Sequence, residues 1–348
     1  MFDNHVVIMA GGIGSRFWPL STPALPKQFI DILGCGRTLI QLTFDRFKDI
    51  CPNENFWVVT NANYVGIVKE QLPMIPEDHI LAEPAARNTA PCIAWACWRI
   101  KKENTNANVV VTPSDAVVMD RVEFQRIITD SLAFTKNREA IVTIGIKPSR
   151  PEVGYGYVQS AGVASGEIYK VAAFKEKPDL QTAQKYLAAG NYFWNAGIFV
   201  WNVNTIISSI RTYKPNIAAD MDRIVPEAGG CAEAVEVVFP QCESISIDFA
   251  VMESAAAAGR VFTHPADFGW SDLGNWSSLH EQLSKDEDNN AVVGNVHLYE
   301  CKNCVVHVED VGKVVAQGLD SYIISEKNGC FLICRRSEEQ RIKEFSQK

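Results

Sequence analysis

The chain has 348 residues, of which 47% are hydrophobic, and a net charge of −8. This length and apolar content suffice for one large α/β domain plus a smaller unit, and the acidic balance excludes general binding to nucleic acid or anionic membranes, which needs broad basic surfaces. The N-terminus carries Asp3 and only a short apolar run, and no apolar run reaches membrane-spanning length, so we expect no signal peptide, no membrane segment and a cytoplasmic location.

Most of the ten cysteines are expected to be buried thiols rather than parts of a disulfide framework, because a cytosolic chain rarely keeps disulfides. Cys301, Cys304, Cys330 and Cys334 could in principle form a four-thiolate zinc site. Each of them, however, lies at or in a strand-like apolar run, where a small hydrophobic residue is ordinary.

A glycine loop follows the first predicted strand. The apolar run Val6 to Met9 predicts a buried strand, which stops at three residues, Ala10-Gly11-Gly12. Glycines in this loop lack a Cβ, so their N–H groups can approach phosphate oxygens closely: Gly11, Gly12 and Gly14. Arg16 and Lys27 then add two cations, which suits a polyphosphate.

Known glycine-loop patterns do not fit this loop. The dinucleotide pattern G-x-G-x-x-G fails because Phe17 occupies the position of the third glycine, and no Gly-Lys-Ser/Thr closes a P-loop. A tight turn that binds nothing remains an alternative for the glycines alone.

Strands and helices alternate after the loop. A capping-box pattern at Thr38 to Gln41 predicts a helix start, and a strand is predicted at Phe56–Thr60, a helix at Tyr64–Leu72 and a strand at Ile80–Ala82. This alternation predicts an α/β fold with a Rossmann-like, mostly parallel sheet flanked by helices, whose ligands gather at the carboxyl ends of the strands.

The segment Glu83 to Pro91, EPAARNTAP, precedes an apolar helical pattern. Asn88 or Thr89 can cap that helix, and Pro91 is tolerated in a first turn. Capping alone would explain Asn88 and Thr89, so a structural role and a ligand-binding role both stay open.

Two aspartates are candidates for a metal site. Asp115 follows the predicted strand Val109–Thr112, and Asp272 lies in a Gly/Trp-rich loop, Asp267 to Trp276. Carboxylates at strand ends can share one Mg²⁺, which prefers one or two carboxylates plus substrate phosphates, with Mn²⁺ as the alternative metal. A turn or helix-capping role is the other interpretation of Asp115.

The middle of the chain offers three further polar candidates. Lys175-Glu176-Lys177 is a charge run, which by itself indicates a solvated face. Asn195 lies in the apolar run Tyr192–Phe199 and needs partners for its amide, in the protein or on a ligand such as a sugar. Asp248 near the start of a predicted helix fits capping and function equally well.

From about residue 291 the pattern changes to short Val-rich strands separated by turns. We therefore expect two domains, a catalytic domain over residues 1–285 and a small β-rich segment, a partial β-helix, over residues 286–348. Short edge strands often pair with a second copy, which predicts a homodimer.

Seven separated stretches resemble, in the same order, the motifs of the sugar-nucleotide pyrophosphorylases, in particular the mannose-1-phosphate guanylyltransferases. They are GGIGSRFWPLS with PKQF, EPAARNTAP, PSDA, FKEKP, WNAGIF, SIDFAVME and GWSDLGNW. Two positions depart from the family pattern, which has Leu at Phe17 and His at Ala116. The resemblance implies a nucleotidyltransferase-type fold and transfer of GMP from GTP to α-D-mannose 1-phosphate, with release of pyrophosphate.

The resemblance also implies roles for individual residues. Arg16 and Lys27 would stabilise the triphosphate and the leaving group, and the glycine loop would cradle phosphates. The family's nucleotide contacts fall on Glu83, Arg87, Asn88 and Thr89. Its sugar-phosphate contacts fall on Gly156, Glu176, Lys177 and Asn195, and its metal ligands on Asp115 and Asp272.

Rival functions stay open within this interpretation. A pyrophosphorylase for another sugar 1-phosphate would share every motif, and a non-catalytic sugar-nucleotide sensor could use the same fold. The chain ends soon after the β-rich segment, so the resemblance predicts a single transferase activity rather than the longer bifunctional form.

Overall fold

A computed structural model gives the fold, and it describes residues 3–12, 15–175, 177–226, 233–309 and 312–347. The strands are β1 (Asn4–Ala10), β2 (Phe56–Asn61), β3 (Ile80–Glu83), β4 (Asn108–Pro113), β5 (Val117–Val118), β6 (Ile141–Ile146), β7 (Tyr157–Ser165), β8 (Ile168–Lys175), β9 (Tyr192–Asn202), β10 (Val261–Ala266), β11 (Trp270–Ser271), β12 (Ala291–Val293), β13 (Val296–Tyr299), β14 (Val305–Val308), β15 (Val314–Gln317), β16 (Tyr322–Lys327) and β17 (Cys330–Arg335).

The α-helices are α1 (Leu39–Phe47), α2 (Val65–Gln71), α3 (Thr89–Glu103), α4 (Arg121–Thr135), α5 (Leu180–Ala189), α6 (Val203–Tyr213), α7 (Pro215–Ile224), α8 (Val235–Val238), α9 (Glu253–Ala257), α10 (Trp276–Gln282) and α11 (Ile342–Phe345). A π-helical segment, Asp248–Met252, leads into α9. Short 3-10 turns include Ser15–Phe17, Lys27–Phe29 and Glu77–His79.

As far as the structure describes the chain, the central sheet has nine strands in the order β3-β2-β1-β4-β9-β6-β10-β8-β7. Parallel pairs join β1 to β2 and β4, β2 to β3, and β6 to β10. Antiparallel pairs join β9 to β4 and β6, and β8 to β10 and β7. Seven of these nine strands therefore run in one direction, against β8 and β9, which confirms the predicted mostly parallel sheet.

Helices cover both faces of this sheet. Val7, Trp57 and Val109 point to one face and pack in a buried cluster with α3, α6 and α7. The alternate residues along each strand point to the other face, where Phe56 contacts Phe44 of α1 with ring centroids 4.4 Å apart. The alternation follows from the period of two along a strand, and it confirms the α/β architecture.

The last strands form two small sheets. One sheet has the order β12-β14-β16-β17, and the other pairs β13 with β15. The pairs β12–β14, β14–β16 and β13–β15 are parallel, so successive stretches of chain stack on one another. The edge strand β17 exposes Phe331 and Ile333, which a dimer contact would cover; the homodimer itself stays a prediction.

The chain divides into two compact units. The first unit comprises Met1–Gly11, Phe44–Pro113 and Val118–Trp270, and the second comprises Gly12–Thr43, Ser114–Val117 and Ser271–Lys348. The domain boundary at residue 285/286 stays a prediction. Within the part of the chain that the structure describes, no helix combines the length and apolarity needed to cross a membrane.

The thiols near the C-terminus contact backbone carbonyl groups. Cys301 and Cys304 are buried, and their Sγ atoms lie 3.4 Å from Tyr299 O and 3.2 Å from Lys302 O. Burial raises the pKa of the Cys304 thiol above its ordinary value. These contacts fit the interpretation of the two residues as buried thiols.

Candidate active site

Three of the predicted site segments follow strand ends. Gly11 comes directly after β1, Glu83 is the last residue of β3, and Asp115 stands two residues after β4. Because β1 and β4 are parallel neighbours, their carboxyl ends lie side by side. From β1 the chain adds β2 and β3 on one side of the sheet and then β4 on the other side, so the strand order reverses between β1 and β4. α/β sheets bind ligands at such a reversal.

Lys27 is the centre of a cluster in the second unit. Its side chain is buried, and Nζ donates to Asp272 O at 2.7 Å and to Leu273 O at 2.9 Å. A third contact joins Nζ to Asp115 Oδ2 at 3.1 Å. The three hydrogens of the ammonium thus have three acceptors, which come from two segments more than 150 residues apart in the chain.

Two hydrogen bonds between side chains and backbone N–H groups shape the loop that contacts Lys27. Ser271 Oγ accepts a hydrogen bond from Leu273 N at 3.3 Å, and Asp272 Oδ1 accepts one from Gly274 N at 3.0 Å. Leu273 has φ +43°, a left-handed conformation that costs an ordinary residue about 1–2 kcal/mol. Its fully buried side chain, packed in the core of the second unit, offsets this cost.

Arg16 contacts the same loop from an exposed position. One of its Nη atoms donates to Gly274 O at 3.3 Å, the one hydrogen bond that Arg16 makes within the described residues. Gln28 is buried and donates from Nε2 to Gly12 O at 2.8 Å, which fixes Gly12 next to the turn Lys27–Phe29. Gln28 is not among the residues predicted for the site, although its place beside Lys27 in the PKQF motif is a signal that could have found it.

Asp115 and Asp272 both lie in the second unit and offer carboxylate oxygens to a hard cation. The Asp115 side chain is 39% exposed, so a ligand can reach it. The pair has the donor chemistry that Mg²⁺ requires when substrate phosphates complete its coordination. The residues therefore fit the metal that the sequence predicts, although their role as its ligands stays a prediction.

Glu83 is a buried carboxyl group beside the glycine loop. It is 7% exposed, and its Oε1 has no hydrogen-bond partner among the described residues. A Cβ at Gly11 would lie 3.3 Å from Glu83 Oε2, so Gly11 lets the loop approach this carboxyl group. Burial raises the pKa of Glu83 to about 7, against a hydrogen bond with Cys92 that lowers it. A buried acceptor without a partner calls for an explanation, and a donor on a ligand would supply one.

The segment after Glu83 makes structural contacts of its own. Asn88 has φ +63° and caps α3, with Oδ1 accepting from Thr89 N at 2.8 Å. Thr89 Oγ1 accepts from Ile247 N at 2.9 Å, and Arg87 donates from Nη2 to Pro240 O. The structure thus supplies the capping role for Asn88 that the sequence left open, while the nucleotide contacts of all three residues stay predictions.

Asn195 is held by protein groups. Its Oδ1 accepts from Thr143 Oγ1 at 2.9 Å and from Gly197 N at 3.1 Å, and its Nδ2 donates to Asp248 Oδ1 at 3.1 Å. The backbone N of Asn195 also donates to Gly156 O at 2.8 Å, which brings two predicted sugar-binding residues together. The second hydrogen of Nδ2 is available for a sugar hydroxyl.

The remaining predicted residues are less informative. Lys177 is exposed. Gly14 and Glu176 lie outside the described residues. The two departures from the family pattern are both buried: Phe17 packs against Trp276 with ring centroids 5.4 Å apart, and Ala116 is 2% exposed, so an apolar interior accommodates each.

Comparisons with known proteins identify the family of this chain. The sequence profile described as nucleotidyl transferase matches residues 5–289. The xanthan biosynthesis protein XanB of Xanthomonas campestris is 36% identical, over 99% of this chain and 73% of its own length. A mannose-1-phosphate guanylyltransferase of Escherichia coli strain K12 is 35% identical, over 97% of this chain and 72% of its own length.

A solved structure extends the similarity to the fold. The crystal structure described as mannose-1-phosphate geranyltransferase from Thermus thermophilus superposes with a TM-score of 0.89 at 28% identity, covering 99% of this chain and 98% of that one. The sequence matches and the fold confirm the family resemblance seen in the motifs. The chain belongs to the nucleotidyl transferase family.

Proposed function

We propose that this protein transfers GMP from GTP to α-D-mannose 1-phosphate. A phosphate oxygen of the sugar phosphate attacks the α-phosphorus of GTP, the bond from that phosphorus to the bridging oxygen breaks, and pyrophosphate leaves. The products are GDP-mannose and pyrophosphate, and no group is oxidised or reduced. Membership of the nucleotidyl transferase family and relatives named for this reaction support the proposal.

The buried carboxyl group of Glu83 is the observation that carries the choice of GTP. Its Oε1 lacks a partner among the described residues, and Glu83 ends the strand before the segment to which the motif resemblance assigns the nucleotide contacts. The N1–H and N2–H groups of guanine are adjacent donors that one ionised carboxylate can accept together. Adenine offers no such pair, so Glu83 favours guanine.

The remaining residues act on the phosphates and the sugar. Arg16 stabilises the leaving pyrophosphate with N–H donors that its contact to Gly274 leaves available. Lys27 adds its charge and holds Asp115 and the loop at residues 272–274 in place. Electrostatic stabilisation and positioning of this kind dominate phosphoryl and nucleotidyl transfer, so no covalent nucleophile is needed.

Four residues complete the roles we assign. Asp115 and Asp272 would hold Mg²⁺ or Mn²⁺, which supplies charge neutralisation for phosphate oxygens. Lys177 pairs with the sugar phosphate, and Asn195 donates its remaining Nδ2 hydrogen to a sugar hydroxyl. The hydrogen bonds from Thr143 and to Asp248 fix the orientation of that amide.

Pyrophosphate release with GTP, ITP and ATP tests the role of Glu83. Inosine lacks the N2 amino group, so the wild type should prefer GTP to ITP in kcat/KM by about 10- to 150-fold, the worth of a hydrogen bond to a charged group. Glu83→Gln should lose most of this preference. Glu70→Gln, a change at an exposed residue of α2, serves as the control. An unchanged GTP preference in Glu83→Gln would contradict the assignment.

A further inference from the structure

A second group of metal-ligating side chains lies in the first unit and has no part in the proposed reaction. Asp78, His79 and Glu103 each offer one ligand atom, and these atoms all lie within 4.8 Å of one another. Within the described ranges this is the one set of three or more such residues that meets this spacing.

His79 is oriented as a metal ligand would be. The residue is 7% exposed, and its Nδ1 lies 3.2 Å from Phe56 O, so Nδ1 carries the hydrogen and donates it to that carbonyl. The imidazole also stacks on Trp57, with ring centroids 3.7 Å apart and an angle of 11° between the planes. A histidine that donates one ring N–H to a backbone carbonyl presents the other nitrogen to a cation.

The distance from His79 to Glu103 fits a shared zinc ion. His79 Nε2 lies 3.3 Å from Glu103 Oε2, and a lone pair facing a carboxylate is repulsive unless a proton or a metal lies between them. Two ligands at tetrahedral angles on Zn²⁺ are about 3.4 Å apart, given bonds of about 2.0–2.1 Å. One imidazole and two carboxylates, with water as a fourth ligand, form an ordinary donor set for this ion.

The charges around the group are mixed. Glu103 is the last residue of α3, and the partial negative charge at a helix C-terminus attracts cations. Arg99, Lys101 and Lys102 lie on the same helix, and Arg99 Nη2 is 3.3 Å from Asp78 O. That contact engages Arg99 with a backbone carbonyl and leaves the carboxylate of Asp78 to a metal.

We infer that Asp78, His79 and Glu103 bind Zn²⁺. The ion joins the turn Glu77–His79, which precedes β3, to the end of α3. The ion therefore stabilises the position of this turn relative to α3, and the segment from Glu83 to Asn88 lies between the turn and α3 in the sequence. It takes no part in the proposed transfer reaction.

Zinc titration of the metal-free protein tests this site. Excess MgCl₂ is present throughout, so that Mg²⁺ competes with Zn²⁺ for the carboxylates of Asp115 and Asp272 and these residues do not contribute to the zinc-binding signal. Calorimetry should find one tight Zn²⁺ per chain, and CuCl₂ used as a second probe should quench the fluorescence of Trp57, which stacks on His79. Glu103→Gln and Asp78→Asn should each weaken Zn²⁺ binding by about 10- to 100-fold or more. Trp57→Phe should remove the quenching and keep the binding.

The matched control is Glu70→Gln, which removes an exposed carboxylate of α2 and should bind Zn²⁺ like the wild type. Far-UV circular dichroism checks that each variant folds, and the two exposed carboxylates give independent tests. Absence of zinc binding, or equal affinity in wild type, Glu103→Gln and Asp78→Asn, would overturn the inference. Because no readout is turnover, failure here is distinct from failure of the proposed reaction.

Discussion

Arg16 and Lys27 contact the same loop, yet their surroundings give them different structural roles. Lys27 is buried and has three acceptors, whereas Arg16 is exposed and donates to Gly274 O. Loss of the Lys27 ammonium would leave buried carbonyl groups without a donor, which is costly. Loss of the Arg16 guanidinium would remove a donor that the fold does not need.

Alanine substitutions should separate the effect of each residue on catalysis from its effect on stability. Arg16→Ala should lower kcat by about 100- to 1,000-fold, the usual loss of one charge-stabilising donor, with an unchanged free energy of unfolding. Lys27→Ala should lower kcat as much and also destabilise the fold by about 1–3 kcal/mol. Steady-state kinetics and urea unfolding measure both effects. Lys48→Ala, at an exposed lysine paired with Asp45, is the control; near-normal turnover in both site variants would contradict the assignment.

Glu83 makes the stability of the protein depend on pH in an unusual direction. Its folded pKa is about 7, above the ordinary value of 4.5, because burial disfavours the ionised form. The folded chain thus keeps a proton that the unfolded chain releases between these values. This residue's contribution to stability therefore falls as pH rises from about 4.5 to about 7, and its penalty is complete above that range.

Glu83→Gln should remove this pH dependence. Relative to wild type, the variant should gain about 2–3 kcal/mol in free energy of unfolding between about pH 5 and about pH 8, because glutamine cannot ionise. Urea unfolding at the two pH values, without nucleotide, gives the difference. A constant offset between the variant and wild type would show that Glu83 is ionised in the folded chain at both.

At the scale of elements, the start of α3 shows how one residue serves structure before any ligand is considered. Asn88 combines a left-handed backbone with a side-chain cap, two tasks that few residue types manage together. Helix α3 also carries much of the core of the first unit, from Ala90 to Ile100. The same residue is assigned to the nucleotide by resemblance, so its two roles need separate measurements.

Substitutions at Asn88 separate them. Asn88→Ala should lower the free energy of unfolding by about 1–2 kcal/mol, because it loses the cap and strains the backbone. Asn88→Gly should cost only a few tenths of a kcal/mol, about as much as a glycine cap does elsewhere. If GTP affinity falls equally in both variants, the amide contacts the nucleotide; if it follows stability, Asn88 acts through the helix. Equal stability of both variants would contradict the capping role.

Most elements could be predicted from the sequence because their signals are local. The apolar runs before Gly11, Glu83 and Asp115 all form strands of the central sheet. The direction of β9 could not be predicted, because antiparallel insertion between β4 and β6 depends on pairing between distant segments. The π-helical form of Asp248–Met252 likewise leaves no periodic signal.

For the molecule as a whole, the motifs select candidate site residues but do not show how these residues are held. The acceptors of Lys27 include two backbone carbonyl groups, and any residue type supplies these, so no sequence pattern marks them. No sequence signal predicts the left-handed conformation of Leu273 either, since leucine rarely adopts it. That Glu83 Oε1 has no hydrogen-bond partner among the described residues is likewise apparent only from the folded chain.

Pyrophosphate release by the purified chain with Mg²⁺ is the direct test of GMP transfer from GTP to mannose 1-phosphate. GTP is offered with mannose 1-phosphate, with other hexose and heptose 1-phosphates, and without sugar, and each set is repeated with Arg16→Ala. We expect release with GTP and mannose 1-phosphate, and we expect this release to depend on Arg16. Release with a different sugar 1-phosphate would contradict the assigned substrate, and no release with any pair would contradict the reaction itself.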